Sequence, residues 1–286
     1  MGLMRQPRWP RRSKLSVSDT EFAPAKVNLA LHLRRRRDDG YHDLETVFAF
    51  TAFGDMLKVV AGEGLSLQVE GEFAGSAGQG ADNLVIRAAR ALADAAGIAA
   101  NAALWLEKRI PVAAGLGGGS AAALRLLNRF WGLDWAEDRL VGLAAALGAD
   151  VPACVVSRSC FGTGRGEELR PWPGNLAGRA VLLVNPRVAV ATGPVFAGWD
   201  RIDRGGIAPG ADLDTLRNDM TPAAVAIAPV IAEVLAALRA TGGADLVRMS
   251  GSGATCLAMY RNVAAMADAA EQLASHDWWI CKTSLI

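Results

Sequence analysis

The stretch Pro111-Val112-Ala113-Ala114-Gly115-Leu116-Gly117-Gly118-Gly119-Ser120-Ala121 constrains this chain more than any other. Four glycines fall within positions 115–119, and Ser120 stands where a helix would begin, ahead of an Ala- and Leu-rich run from Ala122 to Trp131. Glycine permits tight turns and lets backbone N–H groups approach a ligand with no Cβ in the way. The first turn of a helix adds unpaired N–H groups and the positive end of its dipole. Together they make an anion site suited to phosphates; the plainer reading is a flexible loop closed by a Ser N-cap.

Two familiar phosphate loops do not fit. A Walker A loop ends in Gly-Lys-Ser/Thr, and no lysine lies between Pro111 and Ser120. Residues 117–122 match the loose G-x-G-x-x-A dinucleotide pattern. The strand expected before them, Ala102 to Ile110, carries Glu107, Lys108 and Arg109, whereas a doubly wound sheet opens with a strand buried on both faces.

Composition removes further classes. A chain of 286 residues, 51% hydrophobic, can build two domains around a substantial core. The formal net charge of +1 supplies no overall field for nucleic acid or an anionic membrane, so neither is an expected partner. No apolar run approaches the roughly 20 residues that span a bilayer. Cys154, Cys160, Cys256 and Cys281 lack zinc-site spacing and read as reduced core residues of a cytoplasmic protein. Residues 1–20 carry Arg5, Arg8, Arg11, Arg12 and Lys14 without the apolar centre of a secretory signal, and are expected as a disordered basic tail.

Ala23 to Arg34 reads as a strand of period two. Val27, Leu29, Leu31 and Leu33 point one way and Lys26, Asn28, Ala30 and His32 the other, which suits a core on one side and a cleft on the other. After the charged turn 34–40, Tyr41 and His42 could stack on a planar ligand, or simply pack. Leu57 to Glu70 reads as paired strands around Gly62-Glu63-Gly64, and Asp82-Asn83 cap a helix from Val85 to Ala96. A helix from about Ala136 to Leu147 precedes Asp150, which is either an N-cap or a carboxylate at the lip of a cleft. Cys154 to Phe161 reads as a strand leading to a tight turn at 162–167, and Pro171 to Gly174 as a linker. Beyond it come a strand at Ala180 to Asn185, a helix from Asn218-Asp219 to about Ala240, and a strand at Leu246 to Met249. A second glycine turn, Ser250 to Gly253, a strand at Cys256 to Tyr260 and a helix over 262–274 follow. This order suggests an α+β domain with helices on one sheet face.

Pro24-Ala25-Lys26-Val27-Asn28-Leu29, Gly40-Tyr41-His42-Asp43-Leu44, Pro111 to Ser120, Leu147-Gly148-Ala149-Asp150-Val151-Pro152 and Ser250 to Gly253, in this order, resemble the GHMP small-molecule kinases. The resemblance runs from about Phe22 to Tyr260. It implies a two-domain architecture: a ribosomal S5 domain 2-like nucleotide-binding domain over 21–173 and a ferredoxin-like, substrate-side domain over 174–286. It implies ATP with its phosphates on Pro111, Val112, Ala113, Ala114, Gly115, Leu116, Gly117, Gly118, Gly119, Ser120 and Ala121, with Asn83 and Lys108 near the nucleotide. Gly-Tyr-His together with Gly-Ala-Asp-Val-Pro is similar to members acting on a cytidine diphosphate sugar alcohol at a tertiary 2-hydroxyl. Tyr41 and His42 would then receive the cytosine, Asn28 and Thr192 the sugar alcohol, and Ser250, Gly251, Ser252 and Gly253 would shape the cleft. Asp150 would accept the hydroxyl proton and Lys26 would keep Asp150 ionised, with Mg²⁺ on the phosphate oxygens and no protein ligand assigned to it. A monomer or weak homodimer is expected. The alternatives are a GHMP kinase for another alcohol and a non-catalytic nucleotide binder, although a binder needs no base.

Overall fold

The computed structural model describes residues 20–286 apart from Gln79 and Ala113. The basic tail expected over 1–20 therefore lies outside the described residues, except for Thr20, which opens the first strand.

Strands β1 (Thr20–Arg36) and β2 (His42–Val60) pair antiparallel along most of their length. The expected alternation in β1 is broken by register shifts at Pro24/Lys26, Asn28/Ala30 and Leu33/Arg35. Its apolar side chains are consequently shared between two cores, Val27 and Leu29 in one and Leu31 and Leu33 in the other. The strand is not half-exposed, because everything from Ala23 to Leu33 is buried. The chains approach closely at the first shift: a Cβ on Gly54 would lie 2.2 Å from the Ala23 carbonyl oxygen. Only glycine permits that contact.

Strand β3 (Leu65–Glu70) does not pair with β2 as expected. A short helix α1 (Ala74–Ala77) and the amphipathic α2 (Leu84–Ala96) carry the chain over to β4 (Ala102–Glu107). That strand inserts between β2 and β3, parallel to β3 and antiparallel to β2. A long helical crossover is what a parallel pair requires, and it overrides the turn signal at Gly62 to Gly64. Helix α3 (Gly119–Phe130) packs with α2 on the sheet, burying Leu92, Leu124, Leu126 and Leu127 against Phe48, Phe50, Leu57 and Leu104. After α4 (Glu137–Ala144), residues 151–156 form a helix, α5 (Val151–Val156), so the strand expected from Cys154 begins only at β5 (Cys160–Thr163). β6 (Glu168–Pro171) closes the six-stranded sheet.

The second sheet is antiparallel, in the order β10-β7-β9-β8. Its strands are β7 (Ala180–Asn185), β8 (Ala244–Met249), β9 (Cys256–Tyr260) and β10 (Trp279–Ser284). Between them lie α6 (Thr192–Ala197), α7 (Thr221–Ile227), α8 (Val230–Ala240) and α9 (Val263–Leu273). The helix expected up to Ala240 is thus two helices, broken at Ala228-Pro229, because proline removes a helical N–H and disfavours the helical conformation before it. This is the ferredoxin-like arrangement. Leu182 and Val184 face α8 and α9, while Val181 and Leu183 face Val27, Leu29, Val47 and Leu116 of the other half. One shared core therefore joins the sheets, and the C-terminus ties back to β2 through Ile286 N–H to the Phe50 carbonyl, 2.9 Å.

Candidate active site

The first register shift in β1 aims Lys26 into a cleft between the two halves. Its ammonium donates to Asp150 Oδ2 at 2.7 Å and to Asn28 Oδ1 at 3.0 Å. The Lys26 side chain is 4% exposed but Asp150 is 49% exposed, so a buried cation holds a carboxylate that still faces the cleft. Asp150 occupies the N-cap position of α5 but its side chain makes no capping bond. Pro152 in the first turn removes one of the N–H groups a cap would satisfy.

Asn28 links the two halves. Its backbone N–H donates to Ser250 Oγ at 3.0 Å and its Nδ2 to Thr46 Oγ1 at 2.8 Å. A Cβ on Gly251 would lie 3.1 Å from Asn28 Oδ1, and Gly251 has φ +55°. The second glycine turn is therefore shaped to lie against Asn28. Thr255 Oγ1 donates to the Ala114 carbonyl at 2.9 Å, and Lys26 N–H to the Leu116 carbonyl at 2.9 Å. Both glycine segments are thereby fixed to β1, the strand that carries Lys26 and Asn28.

The cleft contains a cavity of about 620 Å³ lined by Lys26, Asn28, Asn83, Lys108, Pro111, Val112, Ala114, Gly115, Gly117, Gly119, Ser120, Asp150, Thr192, Gly251 and Ser252. Leu116, Gly118, Ala121, Ser250 and Gly253 are not on its wall. Leu116 and Ala121 are core residues, and a Cβ on Gly118 would meet the Pro24 carbonyl oxygen at 3.1 Å. Ala113 lies outside the described residues. Ser120 is not the N-cap: α3 starts at Gly119 with Gly118 as cap and no side-chain capping bond. Glycine lets the helix begin early, leaving Ser120 in the first turn among its unpaired N–H groups. The Ser120 hydroxyl makes no side-chain hydrogen bond among the described residues.

Asn83 and Lys108 reach the cavity but are engaged in the fold. Asn83 Oδ1 caps α2 at Val85 N–H, and its Nδ2 holds the Ala77 and Gly78 carbonyls. Lys108 is bound to Asp55 at 2.7 Å, and burial pulls its pKa down against the pull of Asp55. Asp55 also accepts the N–H groups of Arg109 and Ile110 at 2.8 and 2.9 Å, steadying the entry to the glycine loop. Sequence reasoning missed Asp55; one carboxylate among apolar strand residues carried no motif.

A second cavity of about 440 Å³ shares Leu44, Ala149, Arg165, Thr192 and Phe196 with the first. Tyr41 and His42 line it. His42 stacks on Phe196 at 5.0 Å and meets Trp199 edge-on at 5.7 Å, while Tyr41 is 53% exposed. Burial, then the charges of Arg36 and Arg201, lower the His42 pKa below 6.5. The ring is neutral at pH 7, with one donor and one acceptor nitrogen. Thr192 Oγ1 is 3.0 Å from Ser252 Oγ where the cavities meet. Phe196 and Trp199 went unread because nothing in the sequence places 196–199 beside His42. The four cysteines are free and buried, with burial pushing each thiol up to about 12.

Among the described residues no group of three or more His, Cys, Asp or Glu could by itself hold a metal ion. Nor is any helix long and apolar enough to cross a membrane.

Residues 83–158 match the GHMP kinases N terminal domain and residues 203–277 the GHMP kinases C terminal family. A 4-diphosphocytidyl-2-C-methyl-D-erythritol kinase of Rhizorhabdus wittichii is 51% identical over 284 residues, covering 95% of either chain. One of Novosphingobium aromaticivorans is 48% identical, covering 92% of either chain. A crystal structure of 4-(cytidine 5'-diphospho)-2C-methyl-D-erythritol kinase superposes with TM-score 0.75 at 32% identity, over 93% of this chain and 99% of the other. The chain belongs to the GHMP kinases, and is an ATP-dependent small-molecule kinase.

Proposed function

We propose that this chain transfers the γ-phosphoryl group of ATP to the 2-hydroxyl of 4-diphosphocytidyl-2-C-methyl-D-erythritol, in the non-mevalonate (MEP) route to isoprenoid precursors. The observation that carries the reading is the Lys26–Asp150 pair, a half-exposed carboxylate held by a buried ammonium on the wall of the first cavity, next in the chain to Ala149, which lines both. Phosphoryl transfer asks the protein for positioning and charge stabilisation more than for covalent chemistry. Asp150 takes the proton of the attacking hydroxyl, while Lys26, donating to Asp150 Oδ2, orients the carboxylate and offsets charge on the moving phosphoryl group. Asn28 and Thr192 orient the sugar alcohol. The N–H groups of the glycine loop and the first turn of α3 receive the phosphates of ATP.

Mg²⁺ suits the oxygen donors present. The Ser120 hydroxyl, on the cavity wall at the glycine loop, is the protein group that would hold it beside the phosphates. It would supply neutralisation of phosphate charge. Tyr41 and His42 receive the cytosine: the exposed Tyr41 ring stacks on the base, and the His42 imidazole offers a donor and an acceptor to its edge. We divide the chain at 173/174, between β6 and β7, into nucleotide-side and substrate-side domains. One chain supplies the whole cleft, in keeping with a monomer or weak homodimer, and the free buried thiols fit a reducing cytoplasm.

The test is ADP release with ATP and a panel of acceptors: the cytidine substrate, free methylerythritol phosphate, mevalonate and homoserine. Turnover confined to the cytidine compound is expected. Preferential turnover of mevalonate or homoserine would replace this substrate while leaving the kinase assignment intact.

A further inference from the structure

We propose that Arg165 binds the diphosphate of the substrate and so sets its preference for a cytidine diphosphate over an uncharged cytidine; this rests on the substrate reading above. The turn between β5 and β6 places Arg165 on the wall of both cavities, the one holding Lys26 and Asp150 and the one holding Tyr41 and His42. A substrate with its base in one and its reacting hydroxyl in the other must pass its linking diphosphate through this junction.

Three features prepare the guanidinium. Its Nε donates to Glu167 Oε1 at 2.8 Å, and the Arg165 backbone N–H donates to Glu167 Oε2 at 2.6 Å, which fixes the orientation of the fork. Its central carbon lies 4.9 Å from the centroid of the Tyr41 ring, so the same cation steadies the exposed aromatic proposed to receive the base. Neither terminal Nη has a hydrogen-bond partner among the described residues, which leaves one edge of the fork free.

The register also suits the role. Gly166, next in the chain, sits against the base: a Cβ there would lie 3.7 Å from Asp150 Oδ1. Arg165 is therefore one residue from the catalytic carboxylate, on the side facing the base pocket. A diphosphate linking two esters carries two negative charges, and guanidinium is the side chain whose planar donors match phosphate oxygens in pairs. The other cations near Tyr41 are less suitable. Arg37 is committed to Asp39 and Asp43, and Arg36 and Arg201 line the base cavity but not the one holding Asp150.

The test is calorimetric binding of CDP and of cytidine, with the ATP site filled by a non-hydrolysable ATP analogue. Wild type should bind CDP more tightly than cytidine, and Arg165→Gln should reduce that ratio by about ten- to a hundredfold. Arg165→Lys, which keeps a charge but loses the planar fork, should fall between them. Glu167→Gln breaks the same ion pair but leaves the guanidinium, and should keep a clear preference for CDP. In the kinase assay Arg165→Gln should raise KM for the cytidine substrate far more than KM for ATP. An unchanged CDP-to-cytidine ratio in Arg165→Gln overturns the role of Arg165 while the substrate reading stands. Wild type binding neither ligand removes the substrate reading and this assignment together.

Discussion

Two lysine–aspartate pairs face the same cleft at the same 2.7 Å separation, and they are built for different ends. In Lys108–Asp55 the carboxylate is 2% exposed and spends its other oxygen on two backbone N–H groups. In Lys26–Asp150 the burial is reversed: the lysine is 4% exposed and the carboxylate 49%. A buried carboxylate that already accepts three hydrogen bonds is closed to a substrate hydroxyl; a half-open one is not. The ion pair alone does not mark the catalytic site. What marks it is which partner is left accessible.

The largest effect should separate the pairs by rate. Asp150→Asn keeps the shape but cannot accept a proton at neutral pH. It should lower kcat by on the order of 10²–10⁴ with KM for ATP roughly kept. Its stability should fall by only about 1–2 kcal/mol, because the asparagine oxygen still accepts from the buried Lys26 ammonium, which also keeps Asn28 Oδ1. Asp55→Ala should do the reverse. It strands a largely buried ammonium and two N–H groups, so denaturant unfolding should show a loss of roughly 3–5 kcal/mol, while the folded enzyme keeps most of its kcat. If Asp55→Ala is stable but inactive, the contrast between the pairs is wrong.

The glycine loop sharpens the comparison at intermediate size. Gly117 lines the cavity with nothing within 4 Å of an added Cβ, whereas a side chain on Gly118 would press on β1. Gly117→Val should therefore fold normally and lose about a hundredfold in kcat/KM for ATP. Gly118→Val should also lower the melting temperature. Replacing Tyr41 or His42 by Ala should raise KM for the cytidine substrate by about ten- to a hundredfold, with little change for ATP.

The smallest effect is one of pH. The His42 pKa is held below 6.5 in the folded state, so the unfolded chain takes up the proton first and stability is lost as pH falls through that region. Thermal melts should show this decline, and His42→Gln should flatten part of it.

The sequence made the motifs legible and left their partners hidden. Lys26, Asp150 and the glycine loop stand in recognisable local patterns, and their strands and helices follow from period and capping. Asp55, Arg165, Phe196 and Trp199 act through contacts that span the fold. Arg165 lay within a segment readable only as a tight turn. β3 reads as half of a hairpin because the turn signal at 62–64 is local, while its actual pairing, Leu65 with Ala102, depends on a strand 37 residues further on. The roles of Ser120 and Asp150 as helix caps failed for a common reason: a glycine before one and a lysine across the cleft from the other offer alternatives that a capping rule does not weigh.

The most direct test of the account is a double-mutant cycle in kcat across Lys26→Met and Asp150→Asn, with folding checked for each variant. If Lys26 acts by holding the Asp150 carboxylate in place, the pair works as a unit, and the double variant should lose much less than the product of the single losses. Losses that multiply would mean that the two residues act independently, and that the buried ammonium does not prepare the base.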